Sequence, residues 1–522
     1  MELNRALEVL RNIFGFESFR GAQKEVIEKV LARESALTLM PTGTGKSLCY
    51  QIPARLFGGT TLVISPLIAL MKDQVDQLHG YGYRVCYINS SLSREEKQQR
   101  YEALHRGEYE LVYVTPERFQ KEEFLDALTG VNVPLLAVDE AHCVSEWGHD
   151  FRPDYRRLGE YRERLGSPPV LALTATATKE VQTDILQQLG IPDADIIRSG
   201  IERPNLEFEV LPVHGFDEKV RAFVALRHQN AGVMIVYFSL IQTLEKFAKE
   251  ISRLGFEPLV YHGQLKPQVR RRQQECFLKG DGDLILATPA FGLGIDKKNV
   301  RMIVHGEIPG SIESYYQEAG RAGRDGLPSR CVLLYDPDDA SIQMDFIKWA
   351  NPDEGFIRGV YRLIEKNPDR FLAEGFDFLR TQMNFYNRRD YRVETSVNLL
   401  KRWGCLEGEG ENLVAIGEPE GEWLSEEHRS LRLREDQKRL LVMVQYAGLD
   451  VEPGDSESEL ISADAISVRD ATEEDGAKGE ESKEKTSPRD ASSAAEAVSQ
   501  GGNKKSQSAF HKKFIYDYFG AD

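Results

Sequence analysis

Two short stretches of this chain carry the residue types that polyphosphate chemistry requires. The first, Pro41-Thr42-Gly43-Thr44-Gly45-Lys46-Ser47, follows the apolar run Leu37–Met40 and leads into LCYQIPARLF. A strand, a glycine turn and a helix start aim backbone N–H groups and the positive end of a helix at a phosphate chain. Gly43 and Gly45 let that backbone approach closely, with Thr42 and Thr44 completing the loop. Lys46 can reach the β- and γ-phosphates, and the Ser47 hydroxyl can ligate Mg²⁺. The longer GxxxxGK[ST] form of this loop would have Gly at position 40, where this chain has Met. In the second stretch, Pro134–Val138 delivers Asp139-Glu140-Ala141-His142. An apolar strand ending in two adjacent carboxylates suits nucleotide hydrolysis, with Asp139 on the metal and Glu140 polarising the attacking water. Either stretch alone has a bland reading, an incidental glycine turn or a solvated acidic turn. Together they point to a nucleoside triphosphatase that uses Mg²⁺.

Such loops need parallel strands to present them, and the chain supplies the pattern. Short β-branched runs (Leu37–Met40, Thr61–Ile64, Leu111–Val114, Leu135–Val138, Val170–Leu173) alternate with longer amphipathic stretches. The same texture resumes after a break at IERPN, with Val233–Phe238, Leu259–Tyr261, Leu284–Ala287, Met302–Val304 and Cys331–Leu334. Alternation of this kind predicts two α/β domains, each a parallel sheet covered by helices. From about residue 356 the texture becomes helical over Phe356–Glu365, Phe371–Phe385 and Val393–Trp403, and Gly404 then stops the third helix. CLEGEGENLVAIGE reads as two short strands, and three helices followed by a hairpin is winged-helix order, although a generic helical appendage would look similar. The expected boundaries are 1–203 and 204–345 for the α/β domains, 346–450 for the winged-helix-like region, 451–505 for an acidic linker and 506–522 for an aromatic end segment.

Composition narrows the class. Of 522 residues, 66 are Lys or Arg and 83 Asp or Glu, a net charge of −17. Residues 451–500 hold 14 acidic and 5 basic residues in a Ser-, Ala- and Gly-rich setting, so this stretch is expected to be a disordered, solvated spacer. Net acidity does not exclude a nucleic-acid partner, because binding follows local patches. No apolar run is long enough to span a membrane. Glu2 and Glu8 are wrong for a secretory leader. The six cysteines (49, 86, 143, 276, 331 and 405) form no CxxC pair, which fits reduced thiols in the cytoplasm.

With these residues in view, positions ~10 to 350 resemble the RecQ family of DNA helicases, in which the shorter TGxGKS form of the phosphate loop is usual. Phe14-Gly15-Phe16 through Phe19-Arg20-Gly21-Ala22-Gln23 is similar to the family's adenine-recognising motif, which implies Arg20 and Gln23 as nucleotide contacts. Cys143-Val144-Ser145-Glu146-Trp147-Gly148-His149-Asp150-Phe151-Arg152-Pro153 is similar to its aromatic-rich loop, with Trp147 and Phe151 able to stack on unpaired bases and Arg152 able to meet phosphate or sense the ATP site. Ser65–Gln74 and Thr115–Arg118 look like strand-end motifs that grip a DNA backbone. Thr174-Ala175-Thr176 resembles the motif linking hydrolysis to DNA, and His142 is assigned to the same coupling. In the second domain Tyr237-Phe238-Ser239, Tyr261-His262-Gly263 and Ala287–Lys297 resemble the later motifs, which implies His262 and Asp296 at the DNA. Gln317-Glu318-Ala319-Gly320-Arg321-Ala322-Gly323-Arg324 resembles the last one. An arginine supplied across a cleft stabilises charge on a transferring phosphoryl group, and Arg324 is the preferred finger, with Arg321 second and Gln317 beside it.

The resemblance implies two RecA-like motor domains, ATP-dependent 3′→5′ unwinding, and a role in DNA repair or recombination in the cytoplasm or nucleoid. Single-stranded and forked duplex DNA are the expected partners of a monomer, with no membrane and no protein partner assigned. The chain also departs from the pattern. Many relatives carry a four-cysteine zinc subdomain after the motor. Here Phe510–Gly520 looks like the start of that subdomain with Phe510 at the first ligand position, and a lone His511 predicts no zinc. Phe514–Phe519 is expected to dock on the motor, since exposed it would be adhesive. Arg388, Arg389, Arg392, Lys401 and Arg402 could track a duplex, and equally could be a solvated face diluted by Glu394, Glu407, Glu409 and Glu411. The wing Gly408–Leu413 is acidic and lacks an aromatic tip. Two alternatives stay open: an RNA helicase, and a DNA-stimulated ATPase scaffold that does not unwind.

Overall fold

The computed structural model describes residues 2–41, 43–66, 68–147, 152–200, 202–292, 297–383, 390–408, 410, 412–421, 424–449 and 504–520. The expectations for Thr42, Phe151, Asp296, Arg388, Arg389, Glu409 and Glu411, and for the acidic stretch 451–503, lie outside those residues.

Two parallel sheets organise the chain. The first holds β1 (Ala36–Leu39), β2 (Thr61–Ile64), β3 (Val85–Ile88), β4 (Leu111–Val114), β5 (Leu136–Val138), β6 (Val170–Thr174) and β7 (Asp195–Arg198) in the order β3-β4-β2-β5-β6-β1-β7. The inner strands are buried end to end, as a sheet covered by helices on both faces demands. Register matters for chemistry here. Leu39 of β1 pairs with Thr174 of β6, and Ile64 of β2 with Val138 of β5, so the phosphate loop, Asp139 and Thr174 leave the sheet along one edge. Ligands of open parallel sheets bind at that carboxyl edge.

The second sheet holds β8 (Leu206–Pro212), β9 (Val233–Tyr237), β10 (Leu259–Tyr261), β11 (Leu284–Ala287), β12 (Val300–His305) and β13 (Ser329–Tyr335), ordered β10-β11-β9-β12-β13-β8. The break at IERPN lies between β7, in one sheet, and β8, in the other. Both domains are RecA-like.

Beyond them, helices Glu354–Lys366, Pro368–Glu374, Phe376–Met383 and Arg392–Arg402 enclose a core of Phe356, Val360, Phe371, Leu379, Val397 and Leu400, followed by the antiparallel pair β14 (Leu406–Glu407) and β15 (Val414–Ala415). The expected helix Phe371–Phe385 is broken, because Gly375 adopts φ 58° and ψ −141°, a backbone open to glycine but not to other residues. The boundary expected at 345/346 falls inside the helix Ala340–Ala350.

The helix Glu426–Ala447, placed by the sequence pattern with the winged-helix-like region, returns to the second α/β domain. Met443, Tyr446 and Ala447 are buried in its core together with Ile515 and Phe519. The C-terminal helix Lys504–Tyr518 lies along β8, the edge of the second sheet. The Phe208 N–H donates to Ser508 Oγ at 3.0 Å, Gln507 Nε2 donates to the Val210 carbonyl at 3.4 Å, and Lys512 Nζ to the Pro204 carbonyl at 3.2 Å. An edge strand presents unpaired polar groups, and here a helix covers them. The aromatic end segment therefore docks on the motor.

Candidate active site

The phosphate loop joins β1 to the helix Leu48–Leu56. Gly43 and Gly45 both sit at φ +84°, where an L side chain is strained. Each is also crowded: a Cβ on Gly45 would lie 2.6 Å from Gln23 Nε2, and one on Gly43 would lie 3.2 Å from Arg324 Cγ. Thr44 Oγ1 donates to the Pro41 carbonyl at 2.7 Å, closing the turn. Lys46 and Ser47 are half-buried at the helix start, where the Ser47 side chain makes no capping bond and instead meets the Tyr50 hydroxyl one turn on.

Gln23 is buried against this loop. Its Oε1 accepts from the Arg20 N–H at 2.9 Å, and its Nε2 donates to the carbonyls of Thr44 at 2.9 Å and Gly45 at 3.2 Å. The amide expected to read adenine is engaged by the protein on both sides, so it must exchange these bonds to meet a base. Arg20 is exposed, with its guanidinium 5.4 Å from the Phe16 ring centre.

At the end of β5, the Asp139 N–H donates to the Ile64 carbonyl at 2.9 Å. Its carboxyl is buried, and burial together with the neighbouring Glu140 raises its pKa, a rise that Lys46 opposes. Glu140 follows at φ 48° and ψ 48°, left-handed and uncommon for a residue with a side chain. That strain aims Glu140 away from the strand line, and its buried Oε2 takes no hydrogen bond. It stands 3.4 Å from His142 Nδ1. His142 Nδ1 is 2.9 Å from Thr174 Oγ1, and the Thr174 hydroxyl donates to the Thr176 carbonyl at 3.0 Å. A contiguous polar path thus runs from the Glu140 carboxylate to the end of β6.

The second domain closes the site. Arg324 reaches Gly43 across the cleft, and Arg321 is buried with its guanidinium against Gly292. Both arginines descend from the helix Ile312–Ala319, on which Gln317 is half-buried. The cleft thus has Lys46, Asp139 and Glu140 on one wall and Arg321 and Arg324 on the other.

Residues 20–184 match the DEAD/DEAH box helicase family and 218–326 the helicase conserved C-terminal domain. The chain is 38% identical over 408 residues to the probable ATP-dependent DNA helicase RecS of Bacillus subtilis (strain 168), spanning 77% of this chain and 82% of that protein. The chain belongs to the RecQ family of ATP-dependent DNA helicases. It is 47% identical over 354 residues to the ATP-dependent DNA helicase RecQ of the same organism, a match that spans 67% of this chain and only 60% of that longer relative. Among solved structures, the fold is similar to that of the DUF1998 helicase MrfA bound to DNA, at 18% identity and a TM-score of 0.54, over 80% of this chain and 59% of that one.

Other RecQ-type positions lie along the same face with their own surroundings. Trp147 is half-buried on the first domain's core, and its carbonyl accepts from Arg439 Nη1 at 3.1 Å. Its ring lies 6.4 Å from His428, so the helix Glu426–Ala447 spans from the second domain to this loop. Arg152 donates its N–H to the Cys143 carbonyl at 2.9 Å. His262 is buried beyond β10, 3.5 Å from Glu245. Tyr237, Phe238 and Ser239 line a cavity of about 360 Å³ with His305, Glu307 and Gln343. Among the described residues no cluster of three or more His, Cys, Asp or Glu could hold a metal, and no helix is long and apolar enough to cross a membrane.

Sequence reasoning missed Arg203, Asn205, Arg439 and Tyr516. Arg203 and Asn205 lie in IERPN, read only as a break in pattern; Tyr516 falls in the segment expected to dock but its hydroxyl partner was not foreseen, and nothing local distinguishes Arg439 from a solvated side chain.

Proposed function

We propose that this chain is an ATP-driven DNA translocase that separates duplex strands in the 3′→5′ direction, acting as a monomer on single-stranded and forked DNA during repair or recombination in the cytoplasm. The observation that carries the reading is the approach of Arg324 to Gly43: a second-domain cation meets the first domain's phosphate loop, so nucleotide hydrolysis and domain closure share one site. Lys46 and the loop amides hold the β- and γ-phosphates. Ser47 and Asp139 are the hard oxygen donors that would hold Mg²⁺, which supplies charge neutralisation on those phosphates. Glu140, set on a left-handed backbone with its Oε2 beside His142 but making no hydrogen bond, orients and deprotonates the attacking water. Arg324 stabilises charge on the transferring phosphoryl, a contribution of about 10³-fold or more in comparable sites. The path Glu140–His142–Thr174–Thr176 relays the hydrolysis state from the ATP site toward the DNA, for which Trp147, Phe151, Arg152, His262 and Asp296 are the contacts in this reading.

The four helices and the β14–β15 pair act as a winged-helix module, with Arg392, Lys401 and Arg402 toward a duplex. The pairing of the helices Glu426–Ala447 and Lys504–Tyr518 is apolar and aromatic, through Tyr446, Phe514 and His511, so the reading requires no zinc. The test is strand separation of a forked DNA with a 3′ single-stranded tail, with and without ATP and Mg²⁺, for wild type and Lys46→Ala. Unwinding that Lys46→Ala abolishes supports the proposal. The two-residue strands of the hairpin favour a second reading, a DNA-stimulated ATPase without unwinding. It would be revealed by ATP turnover that DNA accelerates while the fork stays intact.

A further inference from the structure

The residues just before Arg324 are held from outside their own domain's motif. Arg203, in the segment that joins the two sheets, is buried. Its guanidinium donates through Nη1 to the Gly320 carbonyl at 3.1 Å and through Nη2 to the carbonyls of Ala322 at 2.7 Å and Gly323 at 3.1 Å. The last carbonyls of a helix have no partner within it and form the negative end of its dipole. Arg203 satisfies those beyond the helix Ile312–Ala319 with a planar, permanently charged fork. Asn205 adds two bonds, from Nδ2 to the carbonyls of Gly323 at 2.9 Å and Leu327 at 3.0 Å. The turn that carries Arg321 and leads into Arg324 is therefore tied to the interdomain segment at every carbonyl from Gly320 to Gly323 except that of Arg321 itself.

Arg203 is in turn fixed by the chain's last helix. Its backbone N–H donates to the Tyr516 hydroxyl at 3.1 Å. The same helix grips the finger-bearing helix directly: the Tyr518 hydroxyl donates to Glu313 Oε1 at 2.7 Å, and Phe519 lies 5.7 Å from Tyr316 between ring centres. We propose that Arg203 and Tyr516 are positioning residues for the arginine finger, and that the C-terminal helix is a working part of the ATPase site. The inference rests on the reading of Arg324 as that finger. A finger acts in the transition state, so slackening its mount raises the barrier to hydrolysis without weakening the ground-state grip on nucleotide.

The experiment uses the full chain and compares wild type with Tyr516→Phe, Arg203→Lys, Arg203→Ala and Arg324→Ala. ATP turnover gives kcat and KM, and titration with Mg²⁺-ADP alone and with aluminium fluoride compares the product with a transition-state mimic. Tyr516→Phe keeps the ring and removes the hydroxyl; the loss of one buried hydrogen bond in the mount is expected to lower kcat about three- to tenfold. Arg203→Lys is expected to lower kcat further, with KM and ADP affinity within twofold of wild type, while affinity for the aluminium fluoride complex falls in step with kcat. Arg203→Ala is included for magnitude, with its melting temperature separating a misfolded chain from a slack finger. Normal kcat and normal binding of the mimic in both Tyr516→Phe and Arg203→Lys overturn the inference, as does a loss of turnover matched by lost ADP affinity. If Arg324→Ala itself binds the mimic like wild type, the finger reading fails instead, and the two failures are told apart.

Discussion

Acid should release the C-terminal helix before it unfolds the motor. His511 is fully buried at the joint between that helix and Tyr446, whose ring centre lies 4.8 Å away. Its Nδ1 is 3.1 Å from the Gln507 carbonyl, and its Nε2 is buried with no hydrogen-bond partner. A protonated ring would bury an uncompensated charge, and burial accordingly depresses its pKa to about 4 from the ordinary 6.5. The released helix, with an ordinary imidazole, binds a proton below pH 6.5, whereas the docked helix does not until about pH 4. Docking is therefore fully stable above about pH 7 and weakens as pH falls through 6.5 toward 4. At pH 5 the released ring is about 97% charged and the docked ring about 10%, a bias of roughly 2 kcal/mol, or about thirtyfold in the opening equilibrium. Amide hydrogen exchange of residues 507–518, corrected for intrinsic rates, reads that equilibrium directly. Wild type should open about thirtyfold more often at pH 5 than at pH 7.5, and His511→Leu, which keeps an apolar side chain of similar reach, should show no such change. Equal pH responses in the two proteins would refute the argument.

Three further outcomes follow from the same geometry. Gly43→Ala places a methyl 3.2 Å from Arg324 Cγ at a backbone φ of +84°; the strain of roughly 1–2 kcal/mol and the blocked closure should cut ATP turnover more than tenfold while the melting temperature moves by only a few degrees. Arg439→Ala removes the 3.1 Å bond to the Trp147 carbonyl and should lower the stimulation of ATP turnover by single-stranded DNA several-fold, leaving the DNA-free rate within twofold; undiminished stimulation counts against a bridging role for the helix Glu426–Ala447. Ile515→Ala empties a fully buried position in the second domain's core and should cost about 2–5 kcal/mol, read as a lower denaturant midpoint for release of the C-terminal helix.

What the sequence disclosed and what it withheld divide along a physical line. Both glycines of the phosphate loop, the acidic pair after β5 and the paired α/β texture are local: each depends on a few adjacent residues in a backbone that the sequence period announces. Three strands escaped notice: β3, although Val85-Cys86-Tyr87-Ile88 is apolar throughout, and β7 and β8, whose pattern is diluted. β7 reads Asp195-Ile196-Ile197-Arg198 and pairs with β1, and β8 alternates Leu206, Phe208 and Val210, which face one core, with Glu207 and Glu209, which point to the other face of the sheet. Glu209 is buried all the same, with an ion pair to Arg330.

The mount of the finger was illegible for a stronger reason. Arg203 reaches carbonyls 117 to 120 positions away and receives Tyr516 from 313 positions away. A carbonyl acceptor leaves no mark on sequence, since every residue has one. An arginine that recognises only backbone can therefore have no complementary partner to find, and its role emerges only when the fold brings a helix end beneath it. The same reasoning explains why Arg324 could be nominated from sequence for the role of finger proposed above, while its support could not. The finger's target is a phosphate, announced by Lys46 and the glycines, whereas the support's target is the peptide chain itself. Tyr516→Phe separates the two cases, because it alters no motif residue and still should slow the step proposed for Arg324.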